Sequence, residues 1–280
     1  MSPIHDQGYR RYGGVRTPAG RAWSVIAKAG IRTLISKRAF IGLLLLSWVP
    51  FLVRAVQIYA ATNLPQASFL TPDAKMFRQF LEQQQVFLFF ITVYAGSGLI
   101  ASDRRANALQ IYLSKPLTRM EYIFGKMAIL MAFLLLVTWV PAVLLLITQI
   151  MFSGSFRFFV DNLFLFPAIT VFSLIQVVTV AAAMLALSSL SKSSRYVGVL
   201  YAALIFFSQA IYGILYAITR NSRMAWMSVG SDLAQIGDAI FRVPLRTDLS
   251  LVVASLVVAG LIAIAAFILE RRVRGIEVVA

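Results

Sequence analysis

Six apolar blocks, each long enough to cross a hydrocarbon core, constrain this chain more than any other feature. They run at about residues 39–61, 84–101, 127–152, 163–190, 196–219 and 249–269. A bilayer core of about 30 Å needs roughly 20 helical residues, and a helix satisfies its own backbone groups where no water can. Buried helices of a soluble protein are a poor alternative, because six blocks this long would need a far larger chain to cover them. Composition agrees, with 60% apolar and 13% charged residues against roughly 45–50% and about 25% in soluble domains. The expectation is an all-α integral membrane protein with six transmembrane helices.

The second block is the shortest, and Pro72 to Gln85 extends it outward, with Thr71 as the expected N-cap and Pro72 at the first helical position. Pro50, Pro141 and Pro167 fall within spans and predict kinks. Small residues recur every fourth position at Ala182 and Ala186, and at Ser255, Ala259 and Ala263. That spacing suits helix–helix contact, either within the chain or at a dimer seam.

Charge sets the orientation. Of the 26 Lys and Arg residues, 18 fall on the side of the N-terminus if the spans alternate, and the positive-inside rule then puts both termini in the cytoplasm. A net charge of +15 distributed in this way points to a membrane rather than to nucleic acid. The six blocks hold no Asp or Glu and one basic residue, Arg54. Its side chain either snorkels to the outer headgroups or touches a substrate headgroup.

Residues 1–19 form a basic, Gly/Arg-rich segment expected to be disordered, and no cleavable signal peptide is expected ahead of the first block. Residues 20–38 read as an amphipathic helix. Arg21, Lys28 and Arg32 share one face, while Trp23, Ile26, Gly30 and Leu34 share the other. Such a helix lies in the membrane interface, with its cationic side toward anionic lipid. Residues 39–280 then make the six-helix domain, ending in a tail at 270–280.

The linker between blocks two and three is the most informative stretch. Ala106 to Leu113 suits a short helix, ended by Ser114-Lys115-Pro116 because proline disfavours helix before it. Thr118 and Glu121 form a capping box, and Leu117 and Tyr122 stand at the positions of a hydrophobic staple. The helix so started runs straight into span three. The result is an elbow at 102–122 that presents Leu109, Ile111, Tyr112 and Leu113, with Asp103, Arg104 and Arg105 at its edge.

The same linker resembles a known signature. Asp103-Arg104-Arg105, Ala108-Leu109, Tyr112 through Arg119, Glu121-Tyr122 and Gly125-Lys126 are similar to the segment between spans two and three of ATP-binding-cassette (ABC) type 2 permeases, also called type V exporter permeases. The tail Leu269-Glu270-Arg271-Arg272-Val273-Arg274, followed by Ile276-Glu277-Val278-Val279, resembles theirs, although Gly275 stands where many relatives have proline. The resemblance covers essentially the whole chain. It implies a permease subunit in the plasma membrane, of the bacterial inner-membrane type, paired with a second copy or paralogue. It further implies a separate cytoplasmic ABC ATPase, which carries the ATP and Mg, with no cofactor in this chain. Asp103, Arg104, Arg105, Leu109, Ile111, Tyr112 and Leu113 would then contact the ATPase, and Pro116, Thr118 and Glu121 would shape the elbow.

The residues that would serve enzyme chemistry are missing. There is no cysteine, and the single histidine is His5. A phosphate-binding Gly-x4-Gly-Lys-Ser/Thr loop is absent, since Gly125-Lys126 is followed by Met127. Two other classes stay open. One is an ion-coupled carrier or channel, which would place carboxylates or broken helices at mid-membrane; the midplane here offers only Gln149, Gln176, Gln209 and scattered Ser and Thr. The other is a scaffold that recruits a cytoplasmic partner. Beyond span five, Ser231 to Phe241 predicts a short helix on the outer leaflet, with a stripe of Leu233, Ile236, Ile240 and Phe241 ended by Pro244.

Overall fold

The structure is a computed structural model describing residues 22–64, 72–108, 117–153 and 157–273. Six helical stretches are long and apolar enough to cross a membrane: Arg38–Asn63, Ala74–Arg105, Arg119–Phe152, Leu165–Leu190, Ser194–Thr219 and Leu251–Arg272. No strand occurs among the described residues.

The helices are α1 (Ala22–Ile35), α2 (Arg38–Leu46), α3 (Val49–Asn63), α4 (Ala74–Ile91), α5 (Ala101–Arg105), α6 (Arg119–Val137), α7 (Trp139–Ser153), α8 (Arg157–Asp161), α9 (Leu165–Leu190), α10 (Ser194–Thr219), α11 (Val229–Ile240) and α12 (Leu251–Arg272). A π-helical turn at Thr92–Gly96 and a 3₁₀ turn at Ser222–Met227 complete the order. Span one is α2 with α3, span two is α4 to α5, span three is α6 with α7, and α9, α10 and α12 are spans four to six. Span four is the most enclosed and span one and span five are largely bare.

Two of the three prolines break their spans where expected. Span one pauses at Ser47–Trp48, just before Pro50, and span three at Thr138, just before Pro141. Each proline lacks an N–H and crowds the carbonyl four residues earlier. The Gln84 side chain donates to the Ser47 carbonyl at 3.1 Å, so the first break leaves no orphan there. Pro167 makes no kink. It lies in the first turn of α9, where no intrahelical bond is lost.

Span two departs furthest from expectation. Its helix starts at Ala74, and Asp73 rather than Thr71 is the N-cap, its carboxylate accepting from the Met76 amide at 2.8 Å. Asp caps at least as well as Thr and here sits directly before the helix. The span therefore includes Lys75, Arg78, Glu82 and Asp103, so charges do lie within it. Its π-turn and the bend after it free the amides of Ile100 and Ala101, and both donate to the Ser188 hydroxyl of span four, at 3.1 and 3.0 Å.

Apolar packing falls into clusters along the bundle. One joins α1, α4, α6 and α9 through Leu34, Leu88, Phe133 and Val177. A second joins Phe77, Phe80, Leu145, Phe172 and Phe241 toward the opposite end. Ala182 and Ala186 are buried against Ala265 and Leu269, so that small-residue pair serves packing within the chain. Ser255, Ala259 and Ala263 remain exposed. Arg54 is held by Gln57 at 2.8 Å and Gln83 at 3.4 Å.

Candidate functional site

At one end of the bundle, the end of span two and the start of span three form a tied junction. Thr118 caps α6: its hydroxyl accepts from the Glu121 amide at 3.2 Å, and the Thr118 amide donates to Glu121 Oε2 at 3.0 Å. Both halves of the capping box are thus formed. Leu117 and Tyr122 share one apolar cluster, as a staple requires. Glu121 also accepts from the Ala22 amide through Oε1 at 3.3 Å, so one carboxylate joins the starts of α1 and α6.

Asp103 is the second tie. Its Oδ2 accepts from the buried Tyr122 hydroxyl at 2.7 Å and pairs with Lys126 Nζ at 2.7 Å. Span two is thereby pinned to the first two turns of span three. Arg104 donates to the Ser189 carbonyl of span four, while Arg105 is exposed. Of the three edge charges, two are thus committed inside the chain and one faces outward. Helix α5 ends at Arg105, and of the helix expected over Ala106 to Leu113 only Ala106 to Ala108 are described, Ala108 being helical. A turn follows Arg105, with Asn107 at φ +51°, a left-handed geometry that asparagine tolerates. Leu109, Ile111, Tyr112, Leu113 and Pro116 lie outside the described residues.

Helix α1 completes the junction by lying along α6. It buries Ala27 and Leu34 and leaves Lys28 and Arg32 exposed. A Cβ on Gly125 would lie 2.9 Å from Ile26 Cβ and 3.0 Å from the Trp23 carbonyl, so only glycine allows this approach. Leu269 and Val273 of span six pack under Ile100 and Tyr122. Helix α1 and the ends of spans two, three, four and six therefore form one body.

The opposite end holds a second polar constellation, absent from the sequence reading. Arg78 of span two is 1% exposed. Its Nε pairs with Asp238 of α11 at 2.8 Å, its Nη2 donates to the Ala234 carbonyl at 3.2 Å, and its guanidinium lies 5.0 Å from the Phe172 ring centroid. Arg246, beyond α11, meets Glu82 of span two with two parallel bonds of 2.6 Å and Asp238 Oδ2 at 3.0 Å. Burial holds the Asp238 carboxyl above its ordinary value, although Arg78 and Arg246 pull it down. The legible signal was Arg78 and Glu82 at i and i+4, on the stretch already recognised as a helical extension.

Helix α11 exists as expected, starting at Val229 under a Ser228 cap. Leu233, Ile236 and Phe241 are buried, but so are Asp232, Gln235 and Asp238. Its polar side is enclosed by the bundle, because it meets partners there. Gln235 bonds the Thr247 and Leu249 carbonyls at 3.3 and 2.7 Å, and Ser228 donates to Gln209 at 2.5 Å. Asp232 is the exception. Neither carboxyl oxygen has a hydrogen-bond partner, and burial pushes the group up to about 7.

Among the described residues, no group of three or more His, Cys, Asp and Glu is placed to hold a metal ion. A family model described as ABC-2 family transporter protein matches residues 24–272. No curated protein matches the chain.

Proposed function

Because the chain belongs to the ABC-2 family of transporter proteins, we propose that it is the membrane subunit of an exporter driven by a separate ATPase. The chain is a multi-pass transport subunit rather than a catalyst. In this reading ATP and Mg are bound by a cytoplasmic ABC ATPase, and a second copy or paralogue completes the membrane part. The elbow end faces the cytoplasm of a bacterial-type plasma membrane. Helix α1 lies in the interface there, its exposed Lys28 and Arg32 toward anionic headgroups.

The elbow carries this reading. The capping box, the Asp103–Tyr122–Lys126 tie and the close α1–α6 contact join the end of span two and α1 to the start of span three. An ATPase docked on the segment between those ends would push on a tied junction that passes the motion into the membrane. Leu109, Ile111, Tyr112 and Leu113 are the proposed seated face, with Arg105 available at its edge. An ion-coupled carrier is the weaker reading. The two carboxylates with least exposure, Asp232 and Asp238, lie on α11, outside the six spans.

Photo-crosslinking from Tyr112 in native membranes, followed by mass spectrometry, tests the assignment. Capture of a protein bearing a phosphate-binding loop supports it; capture of lipid or of this chain alone overturns it. Tyr112→Ala should leave insertion intact and abolish the stimulation of ATP hydrolysis by the membrane subunit.

A further inference from the structure

One polar group, at the crease between spans one and two, belongs to neither end of the bundle. Arg54 of span one donates from Nη1 to Gln57 Oε1 at 2.8 Å and from Nε to Gln83 Oε1 of span two at 3.4 Å. Arg54 lies nine residues short of Asn63, where span one ends, and Gln83 lies nine residues past Ala74, where span two begins. Both therefore sit about 13 Å along the axis from the ends of their helices, inside a core about 30 Å thick. Gln57 is itself six residues short of Asn63. The guanidinium is fastened within the span and stops short of the headgroups, so snorkelling does not account for it.

The charge at this depth is not neutralised by the chain. Arg78 is sealed against Asp238, but among the described residues Arg54 forms no ion pair, and both of its acceptors are neutral amides. Each amide turns its oxygen to Arg54 and therefore its NH2 away. Among the described residues, neither of those NH2 groups nor Arg54 Nη2 donates to a protein acceptor. The group thus offers donors only. Gln83 is exposed, Arg54 and Gln57 are half-buried, and the exposed side chains of Val53, Val56, Val86 and Phe90 flank them along the two helices.

A second copy of the chain would not supply the missing charge. The six apolar blocks hold no Asp or Glu. Glu82, the carboxylate at comparable depth, is taken by Arg246 through two bonds. A second copy would bring another Arg54 instead. A cation within a span and without a counter-charge marks a functional site.

We propose that Arg54, Gln57 and Gln83 bind the anionic group of the transported substrate, an amphiphile whose apolar body lies along Val53, Val56, Val86 and Phe90. The proposal rests on the exporter reading. A cluster of donors selects an anion over a neutral polar group, which needs acceptors as well; carboxylate, sulfate and phosphate all suit it. The two amides hold the guanidinium in place without cancelling its charge. A fixed cation at this depth offsets part of the cost of bringing an anion into the apolar core.

The chain has no cysteine, so a fluorophore on Val49→Cys, five residues from Arg54 on the same span, reports on the site alone. The full chain in phosphatidylcholine nanodiscs would be titrated at pH 9 with a nitroxide-labelled long-chain fatty acid and, separately, with its methyl ester. Saturable quenching by the acid is expected at a concentration at least about tenfold below that needed of the ester. Arg54→Gln should erase the difference and Arg54→Lys should keep most of it. Gln83→Leu, at the exposed edge, should reduce it and serves if Arg54→Gln does not fold. Equal quenching by acid and ester, or a difference that survives Arg54→Gln, would overturn the anion site. In liposomes, the complex with its ATPase should hydrolyse ATP faster with the acid than with the ester, and Arg54→Gln should abolish that stimulation. Phosphatidylglycerol carrying the same nitroxide chain tests the bilayer as the source. Arg54-dependent quenching by that lipid, with no stimulation by either anion, would make this a resident-lipid site and overturn the substrate assignment. If no ATPase accompanies the chain, the exporter reading itself fails, and the quenching still decides whether Arg54 binds anions.

Discussion

The two ends of this bundle each centre on an aspartate that receives two donors, and they are built on opposite plans. At the elbow, Asp103 meets Tyr122 and Lys126, 19 and 23 positions along the chain, with 16% of its side chain exposed. At the other end, Asp238 meets Arg78, far back in sequence, and Arg246 just beyond it, with 1% exposed. The elbow ties join neighbours in sequence and are reinforced by a capping box and a glycine contact. The far network joins span two to a helix lying between spans five and six, beside the apolar cluster of Phe77, Phe80 and Phe241. The first junction uses short-range ties at a partly exposed carboxylate. The second sets a sealed charge pair beside an exposed one.

That contrast predicts unequal costs of breakage. Arg78→Met should have the largest effect, a loss of about 3–5 kcal/mol, because it removes the sealed partner of Asp238 and leaves that buried carboxylate only the half-exposed Arg246. Adding Asp238→Leu should restore most of it, since the stranded charge is then gone. Arg246→Gln, on the exposed half, should cost no more than about 1 kcal/mol. Denaturant unfolding in detergent micelles measures all three, and a small effect for Arg78→Met would erase the contrast.

Asp232 sharpens the comparison from the same end, since it is a buried carboxyl without the cations that Asp238 has. Its folded value near 7 stands above an ordinary 3.8. Between those values the folded state keeps a proton that the unfolded state has lost, so this group lowers stability as pH rises through that window and no further above it. Asp232→Asn should therefore stabilise the protein little near pH 4 and by up to about 4 kcal/mol at pH 8. A gain independent of pH would mean that the carboxyl does not titrate differently in the folded and unfolded states. Asp238→Asn should show no such gain, because it would take from Arg78 its nearest carboxylate and from Arg246 one of two.

The elbow should lose less than the sealed pair does. Tyr122→Phe removes one donor from Asp103 but leaves Lys126 on the same oxygen, so the loss should be about 1–2 kcal/mol. Hydrogen exchange at residues 119–126 would localise it, and a loss as large as that of Arg78→Met would show that the elbow, too, hangs on a single contact.

The start of span three was readable before any coordinates. Thr118 and Glu121 are three residues apart, Pro50 and Pro141 act on the carbonyls four residues behind them, and the capping and breaking rules are local. That α1 is a helix was legible as well, because its 14 residues display their periodicity, although Trp23, read on its apolar face, is exposed. Local rules also misled where two of them competed. Thr71 and Asp73 both suit an N-cap, and Asp73 lies against the helix start. Pro167 looked like a kink only because the span boundary was drawn two residues too early. Arg78 was hidden for a different reason. A cation near the end of a span reads as an interfacial residue, and nothing within ten positions of Arg78 reveals Asp238.

The sequence by itself determined that this chain lives in a membrane, how many times it crosses, where two spans break and where span three begins. Those properties follow from hydrophobic length and from contacts within one helical turn. Only the tertiary structure decided which charges are spent inside the protein and which remain for a partner. It turned Asp103 and Arg104 inward, brought Asp238 beneath Arg78 and left Asp232 alone. Pairing of charges depends on which helices lie side by side, and in a bundle of apolar helices that choice is made by packing along whole faces, which no single segment records.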